Sequence, residues 1–444
     1  MLGIFNFEKY NWLLPKDVVN SDTLITVTGA DKVALDNTKH TVAIQNDGNR
    51  LHVGDKVVLI NKAQGSPELT SQEITQGHFL IYDAHLSVVD DELLLEIDDE
   101  RVPEPEPTPE EPAGRINPRA KAFLEGRIAA AAITNQGADM ISDYGLDAAR
   151  TSAAGNGPSM FAVADGGSNR YKTGSHIKVH DFKLAVGVAQ SMELQNRSTL
   201  MLGAFVEHGR GSYDSYNSFE GSEDVHGWGD LRYTGAGVLF HMNVVGTGQG
   251  QLNQAAAIQD KDGLYVNAVV RAGKAKTDFD SNDLIDGEGI RGQYNSKSSY
   301  YSVMAGTGYA WKLDDKQLLD IYGRYTWSKL DSDSVWIGNS ELDFGAVKSS
   351  RLRLGARYSY AATDRVSPYA GLAYEREFKG NASGSAHGLA IDQPSFKGNT
   401  GVVELGVVMK PSASNNALTL NVGLQGYFGE RKGATGAVKL RYAF

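Results

Sequence analysis

From Pro158 to Phe444, apolar and polar residues alternate along stretches of about ten residues or more, the spacing of strands whose two faces meet different surroundings. Between Arg351 and Tyr360, one face carries Leu352, Leu354, Ala356, Tyr358 and Tyr360, and the other Arg351, Arg353, Gly355, Arg357 and Ser359. Farther up the chain, Tyr301, Val303, Ala305, Tyr309 and Trp311 oppose Ser302, Met304, Gly306, Gly308 and Ala310. At the end, Val438, Leu440, Tyr442 and Phe444 oppose Lys439 and Arg441. The pattern predicts twelve strands, near 158–165, 177–190, 198–211, 229–243, 261–275, 299–312, 316–330, 347–361, 364–379, 399–411, 416–429 and 433–444. A soluble sandwich would alternate as well. Three details favour lipid. The apolar faces end in Tyr, Trp or Phe, as interfacial girdles do. The opposite faces carry Gly and Arg, which suit a wet lumen better than a dry core. Connections are short near 313–315, 361–364 and 412–416, and long near 212–228, 276–298, 331–346 and 380–398. The joints at 244–260 and 430–432 break that rule. The fold class expected is all-β: a 12-stranded antiparallel transmembrane β-barrel occupying 158–444.

Before position 100 the strands are shorter, at 24–27, 32–35, 41–44, 49–53, 56–60, 78–82, 85–89 and 92–97. Turn residues such as Asp36-Asn37 and Asn46-Asp47-Gly48-Asn49 separate them. This spacing fits a short parallel β-solenoid fragment at 1–100, with a small all-β sandwich as the alternative, since no strict repeat is visible. Residues 101–116 open with RVPEPEPTPEEPAG, an acidic Pro-rich linker. A helix is expected from Asn117 to Asp139 within a helix-and-connector segment, 117–157. Asn117 serves as N-cap, Pro118 sits at the first helical position, and Gly137 lies near the stop. Such a helix would be about 35 Å long, close to bilayer thickness. Arg119, Lys121, Glu125 and Arg127 bar it from lipid, and it lacks a wide apolar stripe. A slim, Ala-rich rod of membrane length suits a narrow, protein-lined lumen. An even strand count puts both barrel ends on the short-turn side. The helix must then enter at the far mouth and descend, leaving residues 1–100 outside the cell.

Composition narrows the classes. The chain has 444 residues, 50 Gly, no Cys and a formal charge of −11. Disulfides and thiolate metal sites are excluded, and a pI near 5.4 argues against nucleic acid. Mean hydropathy of −0.33 excludes a bundle of apolar helices but not a barrel. Met1 to Asn20 has no apolar core of a signal peptide, so an export signal is expected upstream. Asp278, Asp280 and Asn282 begin like a calcium loop, but Asp283 and Gly289 stand where Gly and Glu are needed. Gly246, Gly248 and Gly250 lack a dinucleotide-binding context, and the His residues show no paired ligand spacing. No catalytic, cofactor or metal site is expected, and the reading is of a protein that is not an enzyme.

The order of these parts resembles the autotransporters of type V secretion over essentially the whole chain. The matching features are the barrel ending Lys439-Leu-Arg-Tyr-Ala-Phe444, the lumenal helix, the linker, and Asn49 to Ile60, which is similar to the last rungs of a pertactin-like passenger. The resemblance implies an outer-membrane translocator that delivers its own N-terminal passenger to the bacterial surface. It implies outer-membrane lipid, lipopolysaccharide and the β-barrel assembly machinery as partners, with Leu440, Tyr442 and Phe444 as the assembly signal. Some relatives cut themselves at an Asn-Asn step within the helix. Here the helix has Asn135-Gln136, and the pair Asn415-Asn416 falls in an expected turn, so no cleavage residue carries over. By strand parity, Glu207, Glu375, Glu377 and Glu404 point inward near Arg119 and Lys121, and Arg357 and Arg441 point inward near Asp139. These charges are expected to hold the helix in the lumen, against the alternative that they merely face water. The competing function is a surface adhesin whose solenoid and extracellular loops bind host or neighbouring-cell ligands, with Tyr213, Tyr216, Phe219 and Trp228 of the 212–228 loop as a candidate contact.

Overall fold

The computed structural model describes residues 7–98, 114–152, 158–194, 198–245, 263–411 and 418–442. Phe444, Gly246, Gly248, Gly250, the Asn415-Asn416 pair and most of the acidic linker lie outside them.

In the N-terminal part, residues that alternate between core and solvent form β1 (Lys9–Leu14), β2 (Thr23–Ile25), β3 (Val33–Ala34), β4 (Lys39–Ile44), β5 (Lys56–Ile60), β6 (Ala63–Gln64), β7 (Glu68–Leu69), β8 (Glu73–Gln76), β9 (Leu80–Val89) and β10 (Glu92–Asp98). Three parallel tracks stack as solenoid faces do: β1 on β4 on β7 and β8, β2 on β5, and β3 on β6. Leu14, Val42, Ile44, Leu59 and Ile74 fill the space between the faces. The parallel order then ends. The β9–β10 hairpin runs antiparallel to β8 and β5 and closes the last turn, so the sheet is mixed rather than wholly parallel. The strand expected at 49–53 is only an isolated bridge at His52, and β1 lies in a stretch where no strand was expected. The linker's last residues form β11 (Arg115–Ile116), pairing with Ile81 and Leu80, and Arg115 ion-pairs with Glu73 and Asp83.

The chain turns from β11 directly into a long helical rod. Asn117 caps it as its sequence implies: its side chain accepts from the Arg119 amide at 3.0 Å. A 3₁₀ segment, Pro118–Leu124, leads into α1 (Glu125–Met140), a π turn (Ile141–Gly145) and α2 (Leu146–Ser152). The expected stop at Gly137 is therefore not a stop. The helix passes through it and continues for about four more turns of mixed pitch, into the stretch expected to be a connector.

The barrel closes on itself with twelve strands. They are β12 (Ser159–Lys172), β13 (His176–Glu193), β14 (Thr199–Phe219), β15 (Ser222–Val245), β16 (Gly263–Ile285), β17 (Arg291–Lys312), β18 (Gln317–Leu330), β21 (Val347–Tyr360), β22 (Val366–Glu377), β25 (Gly398–Met409), β26 (Leu418–Gly429) and β27 (Arg431–Tyr442). Every neighbouring pair is antiparallel, and β27 pairs with β12. The outward face of β17 shows why this sheet sits in lipid. Tyr301, Val303, Ala305, Thr307, Tyr309 and Trp311 form a belt with aromatic residues at both ends, while Arg291, Gln293, Asn295 and Lys297 continue the same face above it.

Two expected loops are in fact strand. Residues 212–228 and most of 276–298 prolong β14–β17, which reach 21 to 24 residues against 12 to 14 in β18, β21, β22 and β25–β27. About ten tilted residues suffice to cross lipid, so one side of the barrel rises as a tall wall. Opposite it, the loops after β18 and β22 supply β19 (Asp333–Ile337), β20 (Ser340–Phe344), β23 (Gly384–Ala386) and β24 (Leu389–Ile391), a separate four-stranded sheet.

Candidate functional site

The lumen and its rod form the site. Every residue of α1 is buried, including Glu125, Arg127 and Asp139. The rod fits because it is slim. A Cβ added to Gly126 would run into the hydroxyls of Tyr213 and Tyr294, and one added to Gly137 into Tyr233 and Arg271. These two glycines lie three helical turns apart on the side facing the tall wall. A void beside Thr134 and Asn135 measures about 10 Å³, room for at most one water.

Near the long-loop mouth, Arg119 donates to the Asp283 carbonyl at 2.6 Å. Thr173 donates to Glu125 at 2.9 Å. Arg127 donates to Ser298 at 2.6 Å and to the Asp331 carbonyl, and its guanidinium lies over Phe344. At mid-depth Arg271 bridges rod and wall: it donates to the Thr134 carbonyl at 2.6 Å and holds Glu207 through two bonds of 2.8 and 2.7 Å. Deeper still, the rod presents Asp139, Asp143 and Asp147 at intervals of four, hence on one face. Arg351 meets Asp139 at 2.8 Å and Arg431 meets it at 3.0 Å. Arg324 and Arg353 meet Asp143, the latter at 3.1 Å, and Lys439 meets Asp147.

The expected pairings are redistributed. The acidic lower rod faces barrel cations, but not the expected ones. Arg357 is taken by Glu404 at 2.8 Å, and Arg441 makes no ion pair among the described residues. Arg119 and Lys121 do not ion-pair with the four glutamates. Glu207 goes to Arg271, Glu375 to Arg353 at 2.7 Å, Glu377 to Ser349 and the Ser350 amide, and Glu404 to Arg357. The reason is height. Because β14–β17 extend far beyond the lipid belt, the glutamates sit well below the mouth where Arg119 enters. Asp143 and Asp147 escaped sequence reasoning because they follow the apparent stop at Gly137; their four-residue spacing was the available signal.

The N-terminal part rests on this mouth. The Asn117 amide donates to the Phe79 carbonyl at 2.7 Å, and Phe79 packs on Phe123 of the rod. The Asn46 amide donates to Glu288 at 2.9 Å, and Ser340 donates to the Asn46 side chain at 2.5 Å. His78 Nε2 lies 3.8 Å from Asp286, both side chains buried. Burial holds the His78 imidazole below its ordinary pKa, with Asp286 opposing in part. The aromatic contact expected at 212–228 is dispersed. Tyr213 points inward and donates to the Asp278 carbonyl and Phe219 packs toward the core, whereas Tyr216, which donates to Asp224, and Trp228 lie on the outer face. Asp280 of the calcium-like stretch pairs with Arg291, and no metal-binding cluster occurs among the described residues.

A family model for the autotransporter β-domain matches residues 160–425. Among solved structures, the chain is similar to the translocator domain of the autotransporter NalP from Neisseria meningitidis, at 15% identity and a TM-score of 0.51, covering 73% of this chain and 100% of that one. The transport unit of the autotransporter AIDA-I from Escherichia coli matches at 14% identity and a TM-score of 0.48, covering 68% and 98%. No curated protein matches the sequence.

Proposed function

Because the chain belongs to the autotransporter β-domain family, with its barrel in the outer membrane, we propose that this barrel delivered residues 1–100 to the cell surface as the C-terminal part of a β-helical passenger. The observation that carries the proposal is the path of the rod. It enters at the long-loop mouth beside Phe79 and ends where Asp147 meets Lys439 near the short-turn end. A segment joined to the upper end of a rod inside a closed barrel must have crossed that barrel's plane. The mechanism is coupling rather than catalysis. The closed sheet leaves no strand edge unpaired in lipid, and the lumen offers a polar path. Once translocated, the chain is held by the rod's charges. Arg119, Glu125 and Arg127 grip the upper wall, and Asp139, Asp143 and Asp147 meet Arg324, Arg351, Arg353, Arg431 and Lys439. Stacking of the rungs outside opposes backsliding. Leu440 and Tyr442 face lipid on β27, as an assembly signal read by the barrel assembly machinery would.

The chain has no Cys, which makes the test clean. Thr41 and Thr70 place their hydroxyls 3.0 Å apart on neighbouring rungs. The double variant T41C/T70C closes a loop that cannot unthread. In an oxidising periplasm surface delivery of residues 7–98 is expected to fall at least tenfold, with reductant restoring it. Undiminished delivery of the oxidised variant would contradict passage of an extended chain. A surface adhesin built on loop 212–228 gains less support, since Tyr213 and Phe219 turn inward and leave Tyr216 and Trp228 on the outer face.

A further inference from the structure

Above the lipid belt, the outer face of the tall wall changes one row at a time. Val206, Ala236, Ala272 and Tyr301 are cross-strand partners on β14–β17 and form its last apolar row. The next row is His208, Thr234, Lys274 and Ser299. The row after that is Arg210, Arg232, Lys276 and Lys297: four cations in direct register on four adjacent strands, all exposed. Lys274 joins them from one position below.

Like charges directly opposite one another destabilise a sheet. Here lipid lies just beneath, where repulsion is less screened than in open water. Nearby carboxylates relieve it only in part: none of the five cations forms an ion pair among the described residues. Asp230 and Asp278 sit one row farther from lipid, with Asp214 and Asp280 beyond them, and the Asp333 carboxylate accepts the Lys297 backbone amide at 2.9 Å at the end of the row. Asp278 lies close enough to Arg232 and Lys276 to feel both charges. The order outward from lipid is thus apolar, cationic, acidic. On the shorter side of the barrel the outward residues at the upper end of the belt are Tyr374, Gly401 and Phe428, with Arg376 paired to Asn399 in the next row and Lys348 on β21. Among the described residues no four outward cations line up there as they do on the wall, and on β13 the row ends against Phe182.

We propose that this row is a binding site for the phosphorylated headgroup of an outer-leaflet glycolipid. Its phosphates lie along Arg210, Arg232, Lys276 and Lys297, and its acyl chains lie on the apolar rows below. The ordering supports a lipid rather than a soluble anion, because the cations adjoin the belt and the acids repel anything held farther out. Extended charge-assisted contacts of this kind are strong and geometrically specific. The proposal rests on the barrel's place in the outer membrane.

The full chain in neutral detergent provides the test, with three probes: bisphosphorylated lipid A, the same lipid without phosphates, and inorganic phosphate. Bisphosphorylated lipid A is expected to bind and to raise the unfolding temperature. The double variant R232Q/K276Q should bind it at least tenfold more weakly, while K348Q/R376Q, outward cations elsewhere on the barrel, should bind as the parent does. Without lipid, R232Q/K276Q should melt no lower than the parent, since it relieves repulsion; this separates loss of the site from loss of the fold. Equal binding by parent and R232Q/K276Q, equal binding of the dephosphorylated lipid, or displacement by millimolar inorganic phosphate would each overturn the proposal. None of these outcomes bears on whether residues 7–98 reach the surface, which is measured separately.

Discussion

Asp139, Asp143 and Asp147 run down one face of the rod, toward the end where the helix dipole already places negative charge. Alone they would destabilise it. Five barrel cations reverse the sign, and Asp139 has the densest set, with Arg351, Arg353 and Arg431 within 3.6 Å. Removing one partner from such a buried set leaves the rest uncompensated, at a cost of about 3–5 kcal/mol. D139A is therefore expected to lower the unfolding temperature and raise single-channel conductance in planar bilayers, because the rod no longer seats. Gly137 acts by absence of a side chain. G137L would place its side chain against Tyr233 and Arg271, and it is expected to give an open or fluctuating channel.

At the scale of elements, the junction between the last rung and the barrel mouth holds two imidazoles, His78 buried and His387 partly desolvated beside Ser340 and Phe79. Burial depresses the pKa of His78 and of His387 below the ordinary 6.5. A group depressed on docking stays neutral when docked and takes its proton more readily when released. Docking is therefore favoured above pH 6.5 and weakens as pH falls through it. The protection factor against hydrogen exchange over residues 74–82, corrected for the intrinsic pH dependence of exchange, is expected to be larger at about pH 7.5 than at about pH 5.5, and H78Q should reduce that difference.

The elements themselves were unevenly legible. The lipid-crossing strands were readable because alternation there is enforced by two unlike solvents, as in Tyr301 to Trp311. The prolongations of β14–β17 were not. Above the belt the outer face is polar and the inner face mixes Tyr213, Val225 and Phe279 with Ser215, Asn217 and Thr277, so a run such as Ser212-Tyr213-Asp214-Ser215 has the composition of a loop. Tyr213 is nonetheless a wall residue packed on the rod. The helix start was legible in Asn117-Pro118, whereas its end was not, since Gly137 serves packing rather than termination. Which lumenal cation meets which acid depends on strand register and wall height, and alternation fixes neither.

At the scale of the molecule, a closed sheet, a rod through it and a β-rich cap over its mouth form one path. The rod's upper end is continuous with the cap through β11, and its lower end with the first barrel strand through 153–157. A chain in this arrangement has its cap and its short turns on opposite sides of the membrane. With no native Cys, a single introduced thiol reports its side without ambiguity. The decisive measurement is labelling of D31C in the cap and D315C in a short turn by a membrane-impermeant maleimide, on intact cells carrying the full chain in their outer membrane. D31C is expected to label and D315C to label only after the outer membrane is permeabilised. Protection of D31C with labelling of D315C, or equal labelling of both on intact cells, would contradict delivery of the N-terminal part to the surface.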